Sequence, residues 1–536
     1  MGRLGSSPIH TAAFLARLST YPFKRDRDLL ASGFLIGFSL GCSNVVECTR
    51  IPVNLPSARA LPDVVRQKIA FEVKAGRVAG PYTSPPMTPM RFSPLGLVPK
   101  REPGSFRLIH HLSWPRGQGV NNAIPDELAA VTYTKFDTVV TRIHNFGKGT
   151  LLWKADIKDS FRLLPVRKSD QQFLGFSFDG QFFIDLCLAN GVKSSCRIFE
   201  KFSTFLNFCA ETGITDNQKI YHYLDDFLGM IKASAVHEPS QFDYFKLLCA
   251  ELNIPLASHK LEGPCTSLIF LGLEIDTVLM QVRIPSAKIC VARSKLLEFL
   301  GVKRISLRRL QSLLGTLNFL SRAIRPGRAF SRRLFDLCKT GRSPVHRIRI
   351  PKSARLDAVM WLSFLQEFNG ITPILAHQWD GIETLRMATD ASSTFGYGAY
   401  FQRQWFLGAW PVDLGRRSMA LLEIFPIVLA IRTFGEVLKN RRLIVFSDNE
   451  AVTRIINKQS SRCANIACLL RDLTLSCLRY NIVLQARFLR SEENKIADAL
   501  SRGDVAKFRF LAPDAQVLPT PTPSLDALLL KLKFGD

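Results

Sequence analysis

The first part of the chain alternates short apolar runs with turn residues. LLWKADIKDSF predicts a strand that ends in carboxylates, and QFLGFSFDGQFFIDLCL predicts a hairpin with Asp-Gly at its turn. SSCRIFEKFSTFLNFCAE has apolar residues at helical spacing and predicts a helix. YHYLDDFLGM predicts a second hairpin with an acidic pair at its tip, and LIFLGLEID predicts one more strand. Strands and helices are therefore mixed in this part of the chain.

The second part begins with a change of pattern. From 286 to 338 the sequence is helical and basic, as in SLRRLQSLLGTLNFLSRAIRPGRAFSRRLFDL. TGRSPVHRIRIPKSAR follows, and its basic residues and two prolines predict a linker. LRMATDASSTFGYGAYF then predicts a strand pair, and helix and strand patterns alternate as far as NKIADALSR. This order predicts a separate α/β unit.

Length and charge narrow the class of protein. A chain of 536 residues exceeds one hydrophobic core, so roughly two to four domains are expected. Its 71 Lys and Arg residues against 45 Asp and Glu give a net charge of +26, spread along the chain. This excess is large for a surface that is merely solvated, and distributed positive charge suits a long polyanion. Nucleic acid is the favoured partner.

Cysteine usage and hydropathy indicate the compartment. The twelve cysteines are scattered and form no CxxC pair, so neither a zinc ribbon nor a disulfide framework is indicated. Buried free thiols in a reducing compartment are the simplest interpretation. The longest apolar stretch, ASGFLIGFSLGC, is too short to span a bilayer, and no secretory signal is visible. We expect an intracellular protein, in the cytoplasm, the nucleus or both, without a membrane partner.

Asp225 and Asp226 stand side by side between apolar runs. Two unit charges about 4 Å apart repel by about 4 kcal/mol at an effective dielectric of about 20. Taken alone, such a pair is more often part of a turn than a site. If Asp156, at the end of its own strand, converges with the pair, divalent cations would relieve the repulsion because they prefer carboxylate oxygen. We call these three residues the first acidic site. Two Mg²⁺ ions there would suit phosphoryl transfer.

Several motifs, taken in order, resemble the reverse transcriptase family. YLDD fits the signature of an aromatic residue, one further residue and two aspartates on a palm hairpin, and ADIKDSF fits the first palm motif. LANGVKSSCRIFEKF is similar to the nucleotide-contacting motif, and SPLGLVPKREPGSFRLIHHLS is similar to the fingers motif. FLGLEI resembles the strand that positions the primer. In this chain Asn190 replaces the usual Gln or aromatic residue, and Cys196 replaces the usual Pro.

The resemblance assigns roles to individual residues. It implies that Asp156, Asp225 and Asp226 are catalytic ligands of two Mg²⁺ ions, with Mn²⁺ as an alternative. It places Phe161 where an aromatic ring blocks a ribose 2′-hydroxyl. The residues that it implies in binding the incoming nucleotide are Lys100, Arg107, Phe161, Asn190 and Gly191. The two cations among them would hold the triphosphate, although without the resemblance they would be assigned to a solvated hairpin face.

Four carboxylates in the predicted α/β unit follow a strand–helix–strand–helix order. They are Asp390, Glu423, Asp448 and Asp498, and we call them the second acidic site. Taken singly, each is more often a cap or a surface residue than a ligand. Their contexts, ATDAS, LLEI, FSDN and IADALSR, resemble ribonuclease H. The resemblance implies that all four are catalytic and hold two Mg²⁺ ions that activate water against an RNA phosphodiester.

Two departures from the ribonuclease H pattern change the expected activity. No histidine follows His377, and Phe488 stands at the position of the mobile histidine that many relatives carry. We therefore expect a slower nuclease, not an inactive one. Pro426 lies inside the predicted helix of Glu423, where it removes a backbone donor, and a kink there would displace Glu423.

Together the resemblances cover about residues 60 to 505. They imply an α+β right-hand polymerase, with fingers, a ferredoxin-like palm and a helical thumb, followed by an α/β ribonuclease H-like domain. The expected divisions are a helical N-terminal extension (1–50), a fingers region (51–150), the palm with the YLDD hairpin (151–280), a helical basic thumb or connection (281–340), a linker or connection (341–380), the ribonuclease H-like domain (381–505) and a proline-rich tail (506–536). The options we consider are packing of the N-terminal extension on the fingers and disorder of the tail.

GFLIGFSLG, FRLIHHLSWPRGQGVNNAIP and LRRLQSLLGTLNFLSRAIRPGRAF most resemble the DIRS-like retrotransposons, which usually encode a tyrosine recombinase elsewhere. The expected function is an RNA-directed DNA polymerase with ribonuclease H activity that copies retroelement RNA. The expected partners are an RNA template, a DNA primer, the RNA–DNA hybrid, dNTPs and an element-encoded recombinase. The sequence leaves the oligomeric state and the priming mechanism open.

Three other functions stay open. They are a nucleic-acid-binding protein with neither chemistry, an RNA-templated RNA polymerase, and a repair nuclease with a vestigial polymerase. The full set of seven carboxylates disfavours the binding protein, because binding needs none of them to converge. Phe161 and the ribonuclease H-like unit disfavour the RNA polymerase. RNA cleavage without primer extension would identify the repair nuclease.

Overall fold

The chain forms two compact units, residues 1–270 and residues 271–536. The computed structural model describes residues 3–42, 50–100, 104–212, 214–324, 330–367, 370–374, 384–411, 417–459, 461 and 463–524. Among the described helices, none combines the length and the apolar composition that crossing a bilayer requires.

The first unit mixes helices and strands, as the alternating pattern predicts. Its helices are α1 (Thr11–Leu18), α2 (Lys24–Ile36), α3 (Pro56–Ala60), α4 (Pro62–Lys74), α5 (Phe136–Phe146), α6 (Ser195–Glu211) and α7 (Gln241–Glu251). Its strands are β1 (Val78–Tyr82), β2 (Leu95–Pro99), β3 (Phe106–His110), β4 (Leu151–Asp156), β5 (Gly175–Phe178), β6 (Gln181–Asp185), β7 (Gln218–Tyr223), β8 (Asp226–Ile231), β9 (Glu262–Cys265) and β10 (Ser267–Phe270).

Two antiparallel sheets organise this unit. One has the strand order β7-β8-β4-β9, so β8 and β4 occupy its centre, and the other has the order β1-β6-β5. The predicted Asp-Gly hairpin is confirmed, with Asp179 and Gly180 between β5 and β6 at φ of 51° and 74°. Two such positive φ values suit a tight hairpin turn, which explains why Asp-Gly is favoured there. Strands β2 and β3 form a separate hairpin.

The N-terminal helices belong to the core of the first unit. Phe14 of α1 stacks on Phe202 of α6 with 5.8 Å between ring centroids, and it meets Phe205 edge-on at 4.9 Å. Lys201 of α6 also pairs with Asp26 of α2 at 2.8 Å. The extension therefore packs on α6, and the Ser6 N–H also donates to the Gly76 carbonyl of the 51–150 segment at 3.0 Å.

The second unit is also mixed. Its helices are α8 (Ser286–Gly301), α9 (Leu307–Leu320), α10 (Arg332–Lys339), α11 (Lys352–Glu367), α12 (Met419–Phe434), α13 (Glu450–Lys458), α14 (Ala464–Arg479), α15 (Lys495–Ser501) and α16 (Val505–Leu511). Its strands are β11 (Leu273–Asp276), β12 (Gln281–Arg283), β13 (Arg304–Ser306), β14 (Arg347–Arg349), β15 (Ile371–Pro373), β16 (Thr384–Ala391), β17 (Gly396–Phe401), β18 (Gln404–Ala409), β19 (Arg442–Ser447) and β20 (Val483–Phe488).

A five-stranded sheet with the order β18-β17-β16-β19-β20 forms the α/β part of this unit. Strands β16, β17 and β18 are antiparallel neighbours, whereas β19 runs parallel to both β16 and β20. Helix α12 is buried along most of its length and packs on β16, β17 and α14. The carboxyl ends of the parallel pair β16 and β19 therefore lie at one edge of the sheet.

Three sequence expectations need correction. The linker predicted within 341–380 contains β14 and helix α11, and α11 packs on α8 and α14 because Trp361 and Phe364 supply it with a buried apolar face. LIFLGLEID is two strands, since the chain turns at Leu271 and Gly272, both at positive φ.

The tail is the third correction, because residues 506–524 are tied down. Phe508 of α16 packs on Trp405 at 4.8 Å. The Gln516 N–H donates to the Arg403 carbonyl at 2.8 Å, and the Thr520 N–H donates to the Trp405 carbonyl at 2.7 Å. The segment thereby covers β18, an edge strand that would otherwise expose unpaired backbone groups. The end of the tail, residues 525–536, lies outside the described residues.

Candidate active sites

The first acidic site is built on the two central strands of one sheet. Strand β4 pairs with β8 so that Asp156 lies opposite Asp226, and Asp225 occupies the turn between β7 and β8. The Ile157 N–H donates to the Asp225 carbonyl at 3.0 Å, which links the end of β4 to that turn. Asp156 is buried, and the other two carboxylates are half-buried. The pleated pairing thus brings the three predicted aspartates together.

Their mutual repulsion shows in the acidities. Burial, followed by the charges of Asp225 and Asp156, raises the pKa of Asp226 to about 7. Burial and the Asp156 charge also raise the pKa of Asp225. The Lys260 ammonium opposes both shifts, and its Nζ lies 2.6 Å from Oδ2 of Asp156. Carboxylate oxygens whose negative charge is only partly balanced are suitable ligands for a hard divalent cation.

The turn that carries Asp225 is strained and supported from α6. Leu224 has φ of 54°, an unusual value for a bulky residue that costs roughly 1–2 kcal/mol. Its N–H donates to Oε2 of Glu200 at 3.3 Å, and Oε1 of Glu200 contacts Nε2 of His222 at 3.2 Å. A strained turn held by a buried partner keeps the acidic pair in one orientation.

An aromatic pair lies next to this turn. The Tyr223 ring stacks on Tyr133 with 4.5 Å between centroids, and the Tyr133 hydroxyl contacts the Cys196 thiol. Burial, followed by the neighbouring Cys196, raises the pKa of Tyr133. Cys196, the residue at the usual proline position, therefore supports the wall of the first acidic site through Tyr133.

A cleft of about 360 Å³ opens at β3, and we call it the Arg107 cleft. It is lined by Arg107, Ile109, His110, His111, Leu112, Ser113, Phe161, Asn190 and Gly191. Four of the five predicted nucleotide-binding residues are in this lining. The fifth, Lys100, is exposed just beyond the end of β2 and does not line the cleft. A cleft of this size with one cation and one aromatic ring can hold a small anionic ligand.

Two cleft residues are fixed by their surroundings. Gly191 has φ of 127°, and a Cβ there would lie 2.2 Å from the His110 carbonyl oxygen, so only glycine fits. Phe161 lies in the short turn after β4 and meets the Phe199 ring edge-on at 5.5 Å. Phe161 therefore presents a ring of fixed orientation to the cleft.

The second acidic site gathers three of its four predicted carboxylates. Asp390 on β16, Glu423 on α12 and Asp448 just after β19 place ligand oxygens within 4.8 Å of one another. Among the described residues, this is the one trio of potential metal-binding side chains so close together. The strand–helix–strand order brings them together because the parallel strands β16 and β19 end at the same edge of the sheet.

Burial dominates the acidities of Glu423 and Asp390. It raises the pKa of Glu423 to about 9, with help from the charges of Asp390 and Asp448, and it raises the pKa of Asp390 to about 7. Hydroxyl groups supply part of the compensation. The Ser501 Oγ donates to Asp390 Oδ2 at 2.5 Å, and the Ser491 Oγ donates to Asp448 Oδ2 at 2.6 Å. A buried set of oxygen donors with so little cationic compensation fits divalent cations.

Asp498 lies outside the trio. Its carboxylate accepts a hydrogen bond from Arg502 Nε at 2.6 Å and lies 3.6 Å from Lys507 Nζ. Its charge nonetheless helps to raise the pKa of Asp390. The structure therefore places Asp498 beside the trio, in an ion pair of its own.

The two departures from the ribonuclease H pattern can now be located. Helix α12 continues through Pro426, and Glu423 lies within the trio, so the displacement expected from a kink does not occur. Phe488 ends β20 opposite Ser447 and is about half exposed, at 51%. A phenyl ring at this position cannot transfer a proton.

Solved structures of one viral protein are similar to this chain at low sequence identity. No family model matches the chain, and no curated protein matches it. A foamy viral protease-reverse transcriptase solved with double-stranded DNA is 15% identical, covers 91% of this chain and 99% of its own, and superposes with a TM-score of 0.48. The dRH form of the viral protein, also solved with double-stranded DNA, is 14% identical, covers 91% of this chain and 83% of its own, and has a TM-score of 0.48. The same viral protein solved with an RNA/DNA hybrid is 14% identical, covers 94% of this chain and 87% of its own, and has a TM-score of 0.39.

Sequence reasoning missed several residues of these sites. Lys260, Glu200 and Tyr133 contact the first acidic site or its turn from segments distant in the chain. Ser491 and Ser501 contact the second. Only the position of Ser501, one helical turn after Asp498, carried a usable signal, because residues three apart share a helix face.

Proposed function

We propose that the chain is an RNA-directed DNA polymerase with ribonuclease H activity, a reverse transcriptase of the DIRS-like retrotransposon type. The observation that carries the proposal is the gathering of four predicted nucleotide-binding residues in the Arg107 cleft of the unit that also pairs Asp156 with Asp226. An acidic site alone is compatible with many functions. An acidic site in one unit with a cleft for a small anionic ligand favours nucleotide transfer.

Each acidic site would hold two divalent cations, Mg²⁺ or alternatively Mn²⁺. Asp156, Asp225 and Asp226 would ligate them in the first site, and the raised pKa values of Asp225 and Asp226 support a site where a cation would stabilise the ionised carboxylates. The bound ions would supply charge neutralisation for the attacking 3′-hydroxyl and for the triphosphate. Asp390, Glu423 and Asp448 would ligate cations in the second site, with Asp498 in support.

The residues of the Arg107 cleft would bind and select the nucleotide. Arg107 would pair with phosphate oxygens, for which a planar guanidinium is well suited. Phe161, with its ring fixed by Phe199, would leave no room for a ribose 2′-hydroxyl. Asn190 and Gly191 would form the opposite wall, where the absence of a side chain at Gly191 lets the wall approach closely. Lys100 would contact the triphosphate only if the β2–β3 hairpin bends towards the cleft.

The second acidic site would cleave RNA. Asp390, Glu423 and Asp448 lie close enough to share cations, and Asp390 and Glu423 are buried. Phe488 offers no proton acceptor where related enzymes carry histidine, so turnover is expected to be slow.

The template, primer and hybrid would be held through their phosphates. Helices α8 to α10 lie in the basic region of the second unit, and the whole chain has a net charge of +26. Contacts of this kind do not read base sequence, as copying any template requires, and they weaken steeply with salt. An element-encoded recombinase would be a further partner.

Primer extension on an RNA template, with dNTPs and Mg²⁺, tests the proposal. Wild-type protein is expected to extend the primer, and Asp225→Asn is expected to stop extension while hybrid binding is retained. The matched control is Asp216→Asn, because Asp216 is an exposed carboxylate of the same unit.

Each other outcome has its own meaning. A folded, hybrid-binding wild type that extends no primer would overturn the polymerase assignment in favour of a binding protein or a lone nuclease. Extension with NTPs in preference to dNTPs would indicate an RNA polymerase. Normal extension by Asp225→Asn would show that the acidic pair is not the metal site.

A further inference from the structure

A buried ionic network lies directly behind the Arg107 cleft. At its centre, Arg162 Nη2 contacts Asp185 Oδ1 at 2.8 Å, and Arg162 Nε donates to Glu72 Oε2 at 3.0 Å. Arg77 pairs with the same Glu72 at 2.9 Å. Burial alone would raise the pKa of Asp185, but the neighbouring Arg162 and His110 outweigh it and hold that pKa below its usual value. The charges compensate one another.

Arg162 also ties two segments of backbone together. Its Nη1 donates to the carbonyl oxygens of Cys187 and Leu188 at 3.2 and 3.3 Å. These carbonyls lie just before Asn190 and Gly191 in the chain, whereas Arg162 itself directly follows Phe161. The Arg162 guanidinium therefore links the turn that carries Phe161 to the 187–191 loop on the opposite side of the cleft.

His110, the last residue of strand β3, connects that side of the cleft to Asp185, the carboxylate that also contacts Arg162. Its Nδ1 lies 3.2 Å from Asp185 Oδ2, and its Nε2 lies 3.1 Å from the Gly175 carbonyl oxygen. Both ring nitrogens of His110 therefore have a partner, one a carboxylate and the other a backbone carbonyl. The His110 N–H also donates to the Asn190 carbonyl at 3.1 Å. Strand β3 is thereby fixed to the loop that ends in Gly191.

We propose that Arg162 and Asp185 are positioning residues that set the width of the Arg107 cleft and so determine its discrimination between deoxyribonucleotides and ribonucleotides. This inference rests on the proposed polymerase function. Neither side chain lines the cleft, so each acts through Phe161, the 187–191 loop and His110. Exclusion of one hydroxyl by a ring depends on spacing, and a displacement of about 1 Å changes such a selection strongly.

Arg162→Lys tests the proposal with little change in charge. An ammonium keeps Asp185 compensated, but it cannot reach two carboxylates and two carbonyls at once. We expect KM for dNTPs to rise about tenfold, the dNTP to NTP ratio of kcat/KM to fall about tenfold, and kcat to change by less than about threefold. Single-nucleotide incorporation on a fixed primer–template gives all three quantities.

The matched control is Arg167→Lys, since Arg167 pairs with Asp170 at 2.8 Å in the same unit without lining the cleft. It is expected to leave KM and sugar discrimination unchanged. His110→Gln is the second variant, because both N–H groups of glutamine are on one nitrogen, whereas the imidazole meets its two partners with two separate nitrogens. It is expected to shift the same ratio by a smaller factor, about threefold. If Arg162→Lys does not fold, this variant decides.

The outcomes separate the inference from the function on which it rests. Suppose that wild type incorporates nucleotides and that Arg162→Lys does so equally well, with unchanged discrimination and a normal melting temperature. That result would overturn the positioning role. A parallel loss of kcat for both sugars with an unchanged ratio would also overturn it, because that indicates a purely structural role. Absence of incorporation by wild type would overturn the polymerase function and this inference together.

Discussion

The two acidic sites differ in how their negative charge is compensated. In the first, a lysine ammonium lies 2.6 Å from Asp156, and the acidic pair occupies a strained hairpin turn. In the second, Asp390 and Asp448 accept hydrogen bonds from the hydroxyls of Ser501 and Ser491, and the Arg502 guanidinium adds a weaker effect on the pKa of Asp390. Hydroxyls carry no net charge, so burial raises the carboxyl pKa values of the second site further. The most affected group is Glu423, with a pKa of about 9.

The difference reflects the local structure. A turn between two strands is open to solvent on one side and admits a long, flexible cation from another segment. Glu423 instead lies on helix α12 and Asp390 on strand β16, against which that helix packs, and a long cationic side chain there would have to lose its hydration. We infer that the second site is assembled by packing, whereas the first depends for its balance of charge on a lysine from another segment of the chain.

The largest expected effect is separation of the two activities by single substitutions. Asp225→Asn should lower nucleotide incorporation by at least about 10³-fold and leave RNA cleavage within about threefold, because each site would hold its own cations. Asp448→Asn should do the reverse. Extension and cleavage of one labelled hybrid, followed in parallel, measure both.

Asp514→Asn serves as the control for this pair, since Asp514 is an exposed carboxylate of the second unit. Loss of both activities in either variant at a normal melting temperature would contradict two independent sites.

The second prediction separates the members of the second site. Glu423→Gln removes a ligand from the trio and should lower cleavage by about 10³-fold, whereas Asp498→Asn should lower it by only about tenfold. The reason is that Asp498 already pairs with Arg502 outside the trio. Cleavage rates at saturating Mg²⁺ give the comparison. Equal losses would show that Asp498 is a full ligand.

How far the sequence predicts such sites depends on where the information lies. The Asp-Gly hairpin and the YLDD turn are encoded in a few consecutive residues, and both are found as predicted. The meeting of Asp390, Glu423 and Asp448 follows from the order of their elements, because parallel strands end at one edge of a sheet. Local pattern and element order therefore account for where most of these carboxylates lie, whereas their assignment to two sites came from the resemblance to known families.

Other contacts join distant segments and carry no local signal. Lys260 reaches Asp156 across 104 positions, and nothing in SHKLE marks that lysine as a partner. Helix α11 was assigned to a linker because basic residues and prolines precede it, yet its buried face is provided by tertiary packing. The tail was considered disordered on composition, but its backbone hydrogen bonds depend on the exposed edge of β18.

The third prediction concerns pH. Asp390 and Glu423 have pKa values of about 7 and about 9 in the folded protein, above those of an unfolded chain, so the folded state binds more protons. Their contribution to stability is full below about pH 4 and is lost as pH rises through those values. In a chelator, the melting temperature of the second unit should therefore fall between about pH 4 and 9.

Added Mg²⁺ should reduce this fall, because a bound cation stabilises the ionised carboxylates. Asp390→Asn should flatten the dependence near neutral pH, and Asp514→Asn should leave it unchanged. A melting temperature that rises over this range in the chelator would contradict the sign.

The smallest expected effect tests the lysine that distinguishes the first site. Lys260→Met removes a positive charge from beside Asp156 and should tighten Mn²⁺ binding about threefold to tenfold, a range kept low because the Lys260 side chain is half exposed to screening solvent. The titration is made in the Asp448→Asn background, where the second site is weakened and the first dominates. Lys219→Met is the control, since Lys219 pairs with Glu211 and not with the site. Unchanged Mn²⁺ affinity would mean that Lys260 and the cation do not compete for Asp156. The difference between a first site balanced by an ammonium group and a second site balanced by hydroxyls would then have no consequence for cation binding.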